Sequence, residues 1–187
     1  EAFSGGLQSS RAGATRDTLR YQGTWRVSDL ASLAFGAERE ETEIKVESPG
    51  PFGSVNEGSS QVDSLLALGE WAPVESLTLT AGVRYDDHDQ FGDVTTSRFG
   101  ASWKATDQLG VRASWGQGFK APTIYQLTAF FFPATAPNTD LKPEEADGWD
   151  AALFTDLLDG KLRAEVGYFS IDTKNMIDFD PVTNAYG

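Results

Sequence analysis

Cysteine is absent from the 187 residues, which excludes disulfides and thiolate metal sites and suits an exported bacterial chain. Histidine occurs once, at His88, without a nucleophile elbow, so a serine triad has no support. No carboxylate pair stands out as a glycosidase dyad. Long apolar runs are missing too: nothing approaches the roughly 18 consecutive apolar residues of a membrane helix. Cations are scarce, with 15 Lys and Arg against 28 Asp and Glu, a formal net charge of −13. That balance argues against nucleic acid, because no basic patch is available to displace counterions from phosphates. Residues 1–10 show neither the basic start nor the apolar core of a signal peptide. Residues 183–187 are small and turn-like, so both ends read as cut from a longer chain.

What is present is alternation. Over residues 17–28, Leu19, Tyr21, Trp25 and Val27 share one parity, and Thr18, Arg20, Gln22, Thr24 and Arg26 share the other. Period two is the signature of a strand. Leu33 and Phe35 continue it after a turn at Ser28 and Asp29, before residues 38–47 become charged and lead into a polar loop. Residues 48–60, with Pro49, Gly50, Pro51, Gly53 and Gly58, have loop chemistry. A third strand is expected over about 61–71, ending before Pro73. Leu77, Leu79, Ala81, Val83 and Tyr85 then oppose Thr78, Thr80, Gly82, Arg84 and Asp86 in the cleanest strand of the chain. Residues 86–92 read as a polar loop, followed by a strand carrying Phe99, Ala101 and Trp103 and another carrying Leu109, Val111, Ala113 and Trp115. Residues 116–144, with Pro122, Pro133, Pro137 and Pro143, read as one large loop. Strands around 146–156 and 162–169 complete about eight.

The connections alternate, short near Ser28, Pro73, Thr106 and Asp159, and long after Glu47, Asp86, Gly116 and Asp172. Short turns on one side, long loops on the other and alternating faces are the pattern of a transmembrane β-barrel. Trp25, Trp71, Trp103, Trp115, Trp149 and Tyr168 fall near strand ends, where interfacial girdles occur. Arg84, Arg98, Lys104, Arg112 and Arg163 occupy the opposite parity, facing a wet lumen. The fold class is therefore all-β, an antiparallel up-and-down barrel segment. A soluble sandwich or a small ligand-holding barrel shares this parity, so parity alone leaves that alternative open.

Three ordered stretches carry a resemblance. Gly82-Val83-Arg84-Tyr85-Asp86 comes first, Trp115-Gly116-Gln117-Gly118-Phe119-Lys120-Ala121-Pro122 second, and Asn138-Thr139-Asp140-Leu141-Lys142-Pro143-Glu144 third. Together they resemble TonB-dependent outer-membrane receptors of the cobalamin and ferric-siderophore type, with a departure at Thr139 and Asp140. The resemblance implies a barrel of about 22 strands around a plug, in the outer membrane of a Gram-negative bacterium. It also implies a small chelate ligand bound by outer loops and energy supplied by the TonB complex through the plug. Residues 1–187 are expected to be part of that barrel, with the plug absent, no cofactor and no enzymatic activity.

Architectural roles are expected for Gly82, Arg84, Tyr85, Gly116, Gly118, Phe119, Lys120, Ala121, Pro122, Leu141, Lys142, Pro143 and Glu144. Gly116 and Gly118 mark the exit from a strand, and Glu144 pairs with Lys120 or Lys142 at the rim. A nucleotide-binding glycine loop is disfavoured because no helix is expected to follow. Tyr125, Phe130, Phe131 and Phe132 either line a ligand vestibule or form the loop's own small core. Asp86 and Asp87, with His88 and Asp89, are either ligand contacts or a solvated acidic turn. Their spacing is not that of a calcium loop, and His88 is expected at the surface.

Overall fold

The computed structural model describes residues 2–4, 7–48, 54–128, 138, 140–157, 161–180 and 185–187. Its framework is one sheet of nine antiparallel strands that pair in chain order. These are β1 (Ala2–Ser4), β2 (Leu7–Ser28), β3 (Ala31–Ser48), β4 (Ser54–Val74), β5 (Leu77–His88), β6 (Gly92–Lys104), β7 (Leu109–Lys120), β8 (Glu144–Leu157) and β9 (Leu162–Lys174). A five-residue helix, α1 (Ile124–Thr128), lies between β7 and β8. A small hairpin of β10 (Phe179–Asp180) and β11 (Ala185–Tyr186) follows β9.

The register aligns the apolar parity of successive strands into continuous rows. Leu33 pairs with Gly69, Gly69 with Ala81, Ala81 with Phe99, Phe99 with Trp115, and Trp115 with Trp149. A one-residue slip in any pairing would invert a strand and break those rows. The rows are exposed: Trp25 is 60%, Trp71 53%, Trp103 51% and Tyr168 65% accessible. The buried apolar residues among those described are Ile124, Leu127, Leu141, Ala152 and Phe154, none of them on that face. Among the described residues no second layer covers the outer face.

Its height is set by its own sequence. From Leu77 to Tyr85 the strand rises ~26 Å at about 3.3 Å per residue, or ~20 Å along the normal at a tilt of about 40°. One pair beyond Tyr85 the outer row turns charged, with Asp63 opposite Asp87 and Asp87 opposite Asp93. Arg39, in the same row, donates to both carboxylate oxygens of Asp63 at 2.7 Å. On this side the apolar row of β5 therefore ends in Tyr85, then in ions.

Several boundaries differ from those read in the sequence. Residues 38–47 are strand, paired with β2 on one side and β4 on the other. Their charges are met across strands, as in Arg16 to Glu40 at 3.4 Å, and β3 projects past the apolar band as a ribbon. β4 begins at Ser54, inside the stretch expected to be loop. The loop expected at 86–92 shrinks to residues 89–91, with Gly92 at φ 72° closing the hairpin. The expected exit at Gly116 is moved to the end of β7, because Gly116 pairs with Gly148 and Gly118 with Ala146 inside the ladder. A helix does follow those glycines, contrary to expectation. It is five residues long and joins antiparallel strands, so no βαβ unit exists.

Two glycines make room for rings. A Cβ at Gly110 would stand 2.1 Å from the Phe154 ring, and one at Gly23 would stand 2.6 Å from that of Phe35. In both places an aromatic from the neighbouring strand lies over bare backbone. At the strand ends, Pro73 falls in the register shift between Trp71 and Val74, where no ladder donor is needed.

The outer face predicts an asymmetric response to charge. Ala81→Arg, on the apolar row, is expected to destabilise the membrane-inserted protein by about 2–4 kcal/mol. Ser102→Arg, on the opposite parity, is expected to change it by less than about 0.5 kcal/mol. Denaturant titration of the full-length protein folded into lipid vesicles distinguishes the two.

Candidate functional site

The other face of the sheet is polar and internally paired. Arg84 donates from Nε to both Asp86 oxygens at 2.8 and 2.9 Å and from Nη2 to Ser64 Oγ at 2.8 Å. Ser64 Oγ donates to Asp86 Oδ1, and Glu38 Oε1 lies 3.7 Å from Arg84 Nη2. Glu38 also accepts from Arg20. Four adjacent strands, β2 to β5, thus contribute to one network of alternating charges, with the Glu38 side chain only 9% exposed. Further along the wall Arg112 meets Glu165 at 2.6 Å, Arg163 lies over the Phe154 ring at 4.8 Å, and Ser114 donates to Asp150.

Beside the network is a groove of about 640 Å³. Arg16, Glu40, Arg84, Asp86, His88 and, at the end of β7, Phe119 line it from the sheet, and Ile124 and Tyr125 line it from α1. Ile124 and Leu127 are buried, and α1 packs against β4. The helix is capped by Thr123, whose Oγ1 accepts the Gln126 N–H at 3.2 Å. Tyr125 stays 40% exposed and meets the Tyr186 ring edge-on at 6.4 Å.

At the rim, Glu144 accepts from Lys120 Nζ at 3.0 Å and from the Ile177 backbone N–H at 2.9 Å. Glu144 lies well beyond the outer girdle at Trp149. Its carboxyl is held below the usual carboxylate range, first by the Ile177 N–H and then by Lys120.

This two-faced sheet agrees with a family model. Residues 3–187 match the model described as TonB dependent receptor-like, beta-barrel. The chain belongs to the TonB-dependent receptor family. Its barrel strands are those of an outer-membrane protein of Gram-negative bacteria, and the family consists of transport receptors. Among curated relatives, the vitamin B12 transporter BtuB of Vibrio cholerae is 28% identical over 169 residues, covering 90% of this chain and 26% of the relative. The chain thus spans about a quarter of that relative's length. Among solved structures, a mutant ferric enterobactin receptor of Pseudomonas aeruginosa superposes with a TM-score of 0.71 at 24% identity, over 88% of this chain and 28% of the receptor. The siderophore receptor PirA of Acinetobacter baumannii gives 0.69 at 18% identity, over 95% and 31%. These similarities establish the fold.

The receptor motifs now have places. Gly82 lies under Arg98, whose side chain approaches to 3.0 Å from where a Cβ would stand. Arg84 is the hub of the wall network, and Tyr85 faces outward. Pro122 and Leu141 are buried, while Lys142 is exposed. Pro143 offers its carbonyl to Asn175 Nδ2 at 3.2 Å. Glu144 takes Lys120 as its partner, one of the two alternatives expected.

Other expectations change. Asp86 and Asp87 do not form a joint cluster, because adjacent strand residues point to opposite faces. Asp86 belongs to the wall network, and Asp87 lines a hollow on the outer side with Leu65 and Tyr85. His88 is not a surface residue: it is 7% exposed, 3.2 Å from Ser60 Oγ, and accepts the Gln90 N–H on Nδ1 at 3.2 Å. The strand carries it onto the inner face, and the Phe91 ring covers it edge-on at 5.0 Å. Phe130, Phe131 and Phe132 lie outside the described residues. Ser64, Glu38, Phe179 and Tyr186 were not singled out by sequence. Parity places Glu38 on the inner face with Arg84, but only register brings Ser64 between Arg84 and Asp86.

The wall network predicts coupling. Arg84→Met is expected to lower stability by about 1–2 kcal/mol, at the modest end for charged hydrogen bonds because the wall is partly exposed. Adding Asp86→Asn is expected to cost less than the separate losses sum to, by at least about 0.5 kcal/mol. Unfolding of the four full-length variants in a double-mutant cycle measures that difference.

Proposed function

We propose that this chain is the wall of a barrel that imports a scarce nutrient such as a ferric siderophore or cobalamin, driven by TonB through a plug outside these residues. The observation that carries the reading is the division of one sheet into an apolar outer face and a self-paired polar inner face. Arg16, Arg20, Arg84 and Arg112 of the wall already hold carboxylates, so these cations are not free to trap a passing anionic ligand. That suits passage better than storage. The groove, with Phe119, Ile124 and Tyr125 on one side and charged residues of the sheet on the other, gives the outer opening a mixed polar and apolar surface, suited to a bulky chelate with few polar anchors. The protein on this reading moves its ligand unchanged and performs no catalysis. The vitamin B12 and ferric enterobactin proteins to which it is similar motivate the two ligand classes tested first.

Uptake of cyanocobalamin and of ferric siderophores by the parent strain, a strain deleted for the whole gene, and a strain lacking TonB tests this. The expected outcome is that one ligand is accumulated by the parent and by neither mutant. Accumulation that survives either deletion, for every ligand tried, contradicts the proposal.

A further inference from the structure

The outer ends of β7, β8 and β9 converge on one carboxylate. Glu144 opens β8 directly opposite Lys120, the last residue of β7, and its Oε2 accepts from Lys120 Nζ at 3.0 Å. Its Oε1 accepts the backbone N–H of Ile177 at 2.9 Å, just after β9 ends at Lys174. The chain reaches that position through Asn175, in the left-handed region at φ 53°, whose Nδ2 donates to Pro143 O at 3.2 Å. Lys120 is the root of the segment that leads to α1, and Ile177 is the root of the one that leads to β10. A single side chain, 17% exposed, therefore holds both roots.

The same two segments also meet at a second place. Tyr125 of α1 and Phe179 of β10 both lie edge-on to the Tyr186 ring, at 6.4 and 5.4 Å. Asn138 Nδ2 donates to Tyr186 O at 2.8 Å, and Asp178 and Gly187 exchange backbone hydrogen bonds at 3.1 Å. Attachment at one point leaves a segment free to pivot. Attachment at two places leaves it little independent motion.

We propose that Glu144 is a positioning residue that joins the α1 segment and the β10–β11 hairpin into one unit at the outer rim, which keeps α1 in place over the inner-wall groove. The inference rests on the rim geometry and stands whether or not the transport reading does. The carboxylate is suited to the task because it has two acceptor oxygens aimed at different segments. The Ile177 N–H is a backbone donor, which any side-chain carbonyl satisfies. The Lys120 ammonium requires the charge.

Hydrogen exchange of the full-length receptor, read by mass spectrometry over residues 121–128 and 175–180, tests this, with the β5–β6 hairpin as a reference for intact folding. Glu144→Ala is expected to lower protection of 175–180 by at least about tenfold and that of 121–128 by a smaller factor, while the reference is unchanged. Glu144→Gln keeps an acceptor for Ile177 and is expected to retain most of the protection at 175–180. The swap of Lys120→Glu with Glu144→Lys restores an ion pair but offers Ile177 no acceptor, so it is expected to resemble the alanine variant there. If the alanine variant fails to fold, the glutamine and swap variants supply the same comparison. Unchanged protection in the alanine variant, or a swap that restores 175–180 where glutamine does not, overturns the proposal.

Discussion

The main sheet has two faces, and among the described residues nothing packs over the outer one; everything else in this protein follows from giving those faces different solvents. Side chains alternate strictly along a strand, so one register decides all of them together. The outer parity, from Leu19 and Trp25 on β2 to Val166 and Tyr168 on β9, is apolar and exposed. In water such a surface is an aggregation hazard. Against acyl chains it is matched, provided that every backbone group is paired within the sheet. The ladders on both sides of β3 through β8 meet that condition over the apolar band.

The same constraint explains the inner face. Ions placed beside lipid cost several kcal/mol, so the charges within the apolar band collect on the other parity. There they neutralise each other across strands, with Arg20 on Glu38, Glu38 beside Arg84, and Arg84 and Asp86 sharing Ser64. Beyond the band the rule relaxes, and Arg39, Asp63 and Asp87 appear on the outer parity as soon as Tyr85 is passed. The ribbons of β3 and β4 outside the membrane then carry charge on both faces. The rim cluster around Glu144 belongs to this outer zone, where loops must be fastened by specific contacts because no core packs them.

Much of this was legible in the sequence because period-two patterning is local and lipid-facing residues must be apolar. Leu77 to Tyr85 alone gives the face, and Trp115, Trp149 and Tyr168 give one edge of the band. Boundaries were read poorly wherever charge was taken for loop. Residues 38–47 and 86–88 are strand, and partners on neighbouring strands meet several of their charges, Arg20 for Glu38, Arg16 for Glu40 and Asp63 for Arg39; such partners are distant in sequence and invisible to a local window. His88 illustrates the same failure: its neighbours Asp87 and Asp89 suggest solvent, yet parity turns it inward against Ser60. Gly116 and Gly118 looked like a strand exit but sit in the ladder, where Gly116 lies against the Arg98 side chain. The second attachment of Glu144, to Ile177, had no signal in the sequence, since a backbone donor after a left-handed asparagine follows from no side-chain pattern.

The most direct test of the two-solvent account is a scan of single cysteines along residues 78–86 of the full-length receptor in outer membranes. Each site would carry a nitroxide, and its collisions with oxygen, which partitions into lipid, would be compared with those of a water-soluble nickel chelate. The account predicts that sites 79, 81 and 83 favour oxygen and that sites 78, 80, 82 and 84 favour the chelate, in strict alternation. Accessibility that varies smoothly along the strand, or that favours the chelate at every site, would contradict it.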